Sequence, residues 1–90
     1  YVNVRAAVEY EDETERAAML DAVEAAATEA VADLDTTDGY RLKYGDGWAL
    51  ARPSGTEPVV RIYAEAHTQG RADELLSTFA DPIDRVREDG

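Results

Sequence analysis

The sequence predicts an α+β fold, a single domain with a four-stranded, mostly antiparallel sheet and two main helices packed on one face, in the order β-α-β-β-β-α. Two observations carry that prediction. Apolar residues recur at every second position in four stretches, the period of strands with one buried side, and at spacings of three and four in two others, the period of amphipathic helices. Three of the strands also follow one another through short connections, which favour antiparallel pairing and leave the helices to cover one face.

The first strand runs through residues 2–10, with Val2, Val4, Ala6, Val8 and Tyr10 on one side and Asn3, Arg5, Ala7 and Glu9 on the other. "EDETER" then opens a helix that Asp12 caps and Glu15 supports by reaching back. Leu20, Val23, Ala27, Val31 and Leu34 continue at helical spacing, so the expected helix spans Glu13 to Leu34, and "DTTDG" ends it. Tyr40, Leu42 and Tyr44 alternate with Arg41 and Lys43 up to the turn "YGDGW", and Trp48, Leu50 and Arg52 return in a hairpin. A fourth strand alternates Val60, Ile62, Ala64 and Ala66 with Val59, Arg61, Tyr63 and Glu65. The last helix follows Gly70 with Ala72, Leu75, Leu76 and Phe79 as its apolar face. Pro82 is expected to break or kink it, with Asp81 and Pro82 as the cap and first residue of a short final helix that adds Ile83 and Val86.

Ninety residues suit one domain, residues 1–90, with one modest core. No apolar stretch approaches the roughly 20 residues of a membrane span, and the opening residues lack an export signal's layout, so a soluble, cytoplasmic protein without a membrane partner is expected. The absence of cysteine excludes disulfides and thiolate metal sites. Twenty acids against nine bases give a net charge of -11, which speaks against nucleic acid as a partner. Lys43 is the single lysine beside eight arginines. The composition reads as halophilic, since carboxylate repulsion that opposes folding in dilute buffer is screened at molar salt.

Against that background the bases cluster. Arg41, Lys43, Arg52 and Arg61 lie between Tyr40 and Tyr63, where only Asp46 and Glu57 are acidic. Arg52 and Arg61 flank "PSGTEP", a loop offering two hydroxyls, a glycine that lets amides approach a ligand, and two prolines that restrict the backbone. An arginine fork donates two parallel charge-assisted hydrogen bonds to an oxyanion, so the pattern fits a phosphate site. Read from the residues alone, it fits an ordinary connection between strands equally well.

The run "RPSGTEPVVRIYAEA", residues 52–66, resembles the phosphate-binding loop and following strand of the C-terminal domain of the α-D-phosphohexomutases, the family of phosphoglucomutase, phosphomannomutase and phosphoglucosamine mutase. "DGYRLKYGDGWALARPSGTEP" resembles the hairpin leading into that loop and "NVR" the opening strand, so the similarity covers nearly the whole chain. The resemblance implies a TATA-binding-protein-like arrangement of the strands and helices. It implies that Arg52, Ser54, Gly55, Thr56 and Arg61 hold the phosphate of a phosphosugar substrate, with Glu57 and Pro58 in structural roles. The family interconverts hexose 1-phosphate and 6-phosphate through a bisphosphorylated sugar, using a phosphoserine and Mg2+. The catalytic serine, metal and sugar-recognition loops belong to three other domains. This chain is therefore expected to be the fourth domain of a longer enzyme, with no catalytic residue and no metal of its own, the remaining domains as its partners, and no turnover in isolation. The choice of hexose lies mainly outside this domain.

Other residues that invite a functional reading have simpler ones. Asp46 in "GDG" lacks the further carboxylates magnesium needs and belongs to a hairpin turn. Ser54 with Glu57 has the spacing of a capping box, but the strand pattern after Pro58 leaves no helix to cap. His67, the single histidine, sits at a strand end as a solvated residue. Trp48 and Tyr63 fit sheet packing better than sugar stacking, and the acidic runs "EYEDETE" and "REDG" are solvated surface. The competing function, from a different class, is a free-standing, ferredoxin-like regulatory or interaction module that pairs with a partner through a sheet edge.

Overall fold

Alternation along the strands sorts the side chains into two faces, and the two helices cover only one of them. The computed structural model describes residues 1–37 and 39–89, the Asp89 side chain excepted; Asp38 of the "DTTDG" segment and Gly90 of the closing acidic run lie outside the described residues. The order is β1 (Val2–Glu9), α1 (Glu13–Glu29), β2 (Asp33–Asp35), β3 (Tyr40–Tyr44), β4 (Gly47–Pro53), β5 (Val59–Ala66) and α2 (Gln69–Asp89). The strands form one antiparallel sheet in the order β1-β5-β4-β3-β2, so β5 lies in the interior between the first strand and the hairpin.

The α+β architecture with helices on one face is as expected, but the sheet has five strands rather than four. The added strand, β2, comes from the end of the expected first helix. That helix stops at Glu29, and Ala30 takes an extended conformation with ψ 143°. Asp33 and Asp35 then pair with Lys43 and Arg41 across the ladder. Cross-strand opposite charges and an added row of ladder hydrogen bonds outweigh a last helical turn that has no basic residue to offset its dipole. Val31 and Leu34, expected on the helix's apolar face, are instead exposed, Val31 almost completely. The helix start is as expected: Asp12 accepts from the Glu15 amide at 2.8 Å, and the Glu15 carboxylate accepts the Glu11 amide at 3.1 Å.

The second correction concerns Pro82, which lies inside a continuous α2 instead of starting a new helix. A proline in a helix interior costs about 3 kcal/mol. Phe79 and Ile83, on either side of it, are both fully buried, and burial of such side chains contributes roughly 1.5–3 kcal/mol each. Anchoring on the sheet therefore carries the helix through the missing hydrogen bond.

The core lies between sheet and helices. Val8, Leu42, Ala49, Ala51, Val60, Ile62, Ala64 and Ala66 face Met19, Val23 and Ala27 of α1 and Ala72, Leu75, Phe79 and Ile83 of α2. The alanines on the sheet let α2 approach closely. At Gly47 the approach is closest: a Cβ there would collide with the Glu65 carbonyl oxygen and stand 2.8 Å from Leu75 Cδ1. The "GDG" segment is a hairpin turn, as read from sequence, and Asp46 in it accepts from Arg71 of α2 at 2.8 and 3.3 Å. That contact holds the Asp46 carboxyl below its ordinary value and clamps the hairpin tip to the start of α2. Among the described residues no charged side chain is buried and no helix is long and apolar enough to cross a membrane.

Candidate functional site

Every base of the cluster read from sequence falls on the face the helices leave uncovered. Register fixes this. Arg52 of β4 stands directly opposite Arg61 of β5, Arg41 opposite Leu50, and Lys43 opposite Trp48. On the same face Arg5 of β1 pairs with Tyr63 and Ala7 with Arg61. This face carries five bases against four acids, whereas the rest of the chain holds four against sixteen. Long basic side chains also pave it. The Arg41 guanidinium lies 5.2 Å from the centre of the Trp48 ring, and that of Arg52 lies 5.9 Å from the centre of Tyr63. The two aromatics thus serve sheet packing, with Leu50 buried on the same face between Arg41 and Tyr63, its partners on the two neighbouring strands.

The loop between β4 and β5 is built by its own hydrogen bonds. The Ser54 amide donates to the Val59 carbonyl at 2.9 Å, and the Val59 amide to the Glu57 carbonyl at 2.8 Å. The Ser54 hydroxyl oxygen accepts the amides of Thr56 and Glu57, both at 3.3 Å. This is the contact a capping box would make, formed without a helix. Its hydroxyl proton stays free to donate outward. Tyr10, leaving β1, donates its amide to the Pro58 carbonyl at 3.0 Å and ties the far end of the loop to the sheet. Gly39 supports the near end. Its φ of 125° is a left-handed value, and a Cβ on it would lie 2.7 Å from the Ala51 carbonyl oxygen and 2.8 Å from Arg52 Cβ, so only glycine lets the chain pass behind Arg52.

The two arginines differ. Arg61 donates to Glu57 of the loop at 2.8 Å. Among the described residues Arg52 makes no ion pair and no hydrogen bond, and neither do the Gly55 amide or the Thr56 hydroxyl. Like charges directly opposite one another on adjacent strands oppose folding, yet here only one of the pair has a carboxylate partner. Gly55 has open space around it: a Cβ would meet nothing within 4 Å, and its φ is not positive.

Strand register thus sets Arg52 and Arg61 side by side at the end of the sheet that leads into the Ser54, Gly55 and Thr56 loop, with the Arg52 guanidinium lying over Tyr63 and that of Arg61 turned to Glu57. Sequence reasoning passed over Arg5, although the strand alternation already set it on the polar side of β1. His67 lies apart, just beyond the other end of β5, exposed and in tilted contact with the Tyr1 ring at 4.4 Å between centres. A surface hollow of about 490 Å3 lies elsewhere, lined by Glu9, Glu11, Glu15, Asp84 and Glu88 with Arg87 as its one base, a mostly acidic wall that disfavours an anion. Among the described residues no three His, Cys, Asp or Glu side chains converge as metal ligands.

These features define an α+β domain that presents a pair of arginines beside a Ser-Gly-Thr loop on the helix-free face of its sheet. The family description "Phosphoglucomutase/phosphomannomutase, C-terminal domain" matches residues 2–81, and the chain belongs to that family. A probable phosphoglucosamine mutase of Methanopyrus kandleri is 46% identical over 89 residues, covering 99% of this chain and 20% of the relative. A phosphopentomutase of Thermococcus kodakarensis is 39% identical over 85 residues, covering 93% and 19%. Among solved structures, a phosphoglucomutase/phosphomannomutase family protein from Burkholderia thailandensis superposes with a TM-score of 0.68 at 26% identity, over 96% of this chain and 18% of that one. The chain therefore spans about a fifth of the length of the curated relatives it matches.

Proposed function

We propose that this chain is the substrate-phosphate clamp of a sugar-phosphate mutase, the last of several domains in a longer enzyme that moves a phosphoryl group between positions of a sugar. The observation that carries this reading is the facing of Arg52 and Arg61 across β4 and β5 at the mouth of the loop. Two guanidiniums a strand apart repel one another until an oxyanion lies between them, and a phosphate ester has enough oxygens to engage both forks, the Gly55 amide and the Ser54 and Thr56 hydroxyls. Gly55 is compatible with the same reading, since a Cβ there would meet nothing within 4 Å and its amide makes no hydrogen bond among the described residues.

The clamp binds and orients; it breaks no bond. By holding the phosphate that is not being transferred, it fixes the sugar for reaction at the other end and helps exclude water as the domain closes. Magnesium and the phosphoserine that supply the chemistry belong to other domains, and every side chain named here contributes only to binding. The relatives carry names with different sugars, glucosamine and pentose, at 46% and 39% identity to one chain. A loop that reads the phosphate and leaves the choice of sugar mainly to other domains accounts for that spread, and family membership weighs against a free-standing regulatory module.

Amide spectra of the chain titrated with glucose 1-phosphate, in buffer and in 2 M KCl, test the proposal. Shifts concentrated at Gly55, Thr56 and the Arg52 and Arg61 side chains, lost in Arg52→Ala, support it. Unmoved loop signals at ligand concentrations up to 100 mM, with the Arg52→Ala spectrum responding as wild type does, overturn it.

A further inference from the structure

Beyond the loop, the uncovered sheet face holds a third guanidinium that none of the preceding assignments uses. Arg5 sits on β1 opposite Tyr63, and the next residue on its face, Ala7, stands opposite Arg61. Arg5 is therefore diagonal to Arg61, at about 7–8 Å between backbones, within reach of two long side chains. Arg52, Arg61 and Arg5 occupy three adjacent strands on one side of the sheet. Between Arg5 and Arg61 lies a hollow of about 250 Å3, lined by these two with Ala6, Ala7 and Tyr63. Ala7 creates that space, since any longer side chain opposite Arg61 would fill it.

Charge placement makes the hollow informative. Arg5 is exposed, and among the described residues it makes no ion pair, although the chain has 20 carboxylates. Glu65, on the same face two positions from Tyr63, is engaged with Asn3 at 3.5 Å. Glu9, on the same face at the far side of Ala7, makes no ion pair among the described residues either, so Arg5 is left beside Arg61 with a guanidinium free to engage an anion.

We propose that Arg5 is a third cationic contact for the phosphosugar, reaching its phosphate from the β1 side, with the hollow between Arg5, Ala7, Arg61 and Tyr63 receiving the adjoining part of the sugar. This rests on the clamp reading and extends the site from one loop to three strands. Tyr63 supplies a flat wall and a hydroxyl, and Arg61, held by Glu57, stands between the loop and the hollow.

The test compares Arg5→Gln, Ala7→Leu and Arg52→Ala by the same titrations, using inorganic phosphate and glucose 1-phosphate as separate probes. Thermal unfolding checks that each variant remains folded. The expected result is that Arg5→Gln weakens both probes about tenfold, the loss of one charge-assisted contact. Ala7→Leu, with every charge kept, should weaken the sugar phosphate several-fold while leaving inorganic phosphate unchanged. If Arg52→Ala loses binding while Arg5→Gln and Ala7→Leu bind both probes as wild type does, the Arg5 proposal is overturned and the clamp stands. If none of the three changes the affinity of either probe, both are overturned.

Discussion

Gly47 and Gly55 flank the same strand and loop but have opposite surroundings, so replacing each by alanine separates what the fold needs from what a ligand needs. At Gly47 the new methyl would collide with the Glu65 carbonyl oxygen and crowd Leu75 and Ala66. Backbone on one side and a packed helix on the other leave little room to yield, and overpacking of this kind costs about 2–3 kcal/mol. For a domain of this size that lowers Tm by roughly 10 °C or more. At Gly55 the methyl meets nothing within 4 Å, and the backbone φ suits any residue. Alanine there should stabilise by about 0.4–1 kcal/mol, because the unfolded chain loses freedom. That raises Tm by a few degrees. On the clamp reading, the same methyl should hinder a phosphate oxygen from reaching the Gly55 amide. Loss of that charge-assisted contact, about 1.5–3 kcal/mol, should weaken phosphosugar binding by one to two orders of magnitude. Calorimetric unfolding and ligand titration of both variants give the four numbers required. A Gly55→Ala protein that melts well below wild type, or that binds glucose 1-phosphate with unchanged affinity, refutes the reasoning.

Other outcomes follow from the same structure. Arg52→Ala should change unfolding free energy by less than about 0.5 kcal/mol, as expected of an exposed side chain without an ion pair, so a large loss of stability would show that Arg52 is structural. Asp46 is held below its ordinary pKa by the Arg71 hydrogen bond; its contribution is present above the unfolded value of about 4 and is lost as pH falls through the folded one. Wild type should therefore exceed Asp46→Asn in Tm at pH 7, with the gap closing below pH 4, and a gap that persists at pH 2 would contradict the ion pair. Pro82→Ala should stabilise by roughly 1–2 kcal/mol, because α2 regains a backbone hydrogen bond while Phe79 and Ile83 stay anchored; a lower Tm would mean that the ring's packing matters more than the bond. Raising KCl from 0.1 to 2 M should raise Tm, since the screening length falls from about 10 Å to below 3 Å while the chain's net charge is -11; a flat or falling Tm argues against salt adaptation.

Alternation and capping made most of this chain legible in one dimension. A period of two in four stretches fixed which residues of β1, β3, β4 and β5 share a face, because side chains on a strand can point only two ways. It also placed Arg52 and Arg61 on polar positions, while the loop's composition and its resemblance to a known motif marked the residues around them. Strand β2, the unbroken α2 and the arginine arrangement were not legible, and each depends on partners distant in the sequence. "DLD" reads as a helix end until Arg41 and Lys43 lie beside it. Pro82 reads as a helix end until the burial of Ile83 is counted. That Arg52 faces Arg61, with Arg5 beside them, follows from how β4 and β1 register on β5, and local periodicity contains no information about register between strands. The sequence by itself determined which side chains lie on the polar side of each strand; tertiary structure alone decided that Arg52 faces Arg61, with Arg5 diagonal to Arg61 on the same face, since pairing between strands, rather than spacing along them, sets those positions side by side.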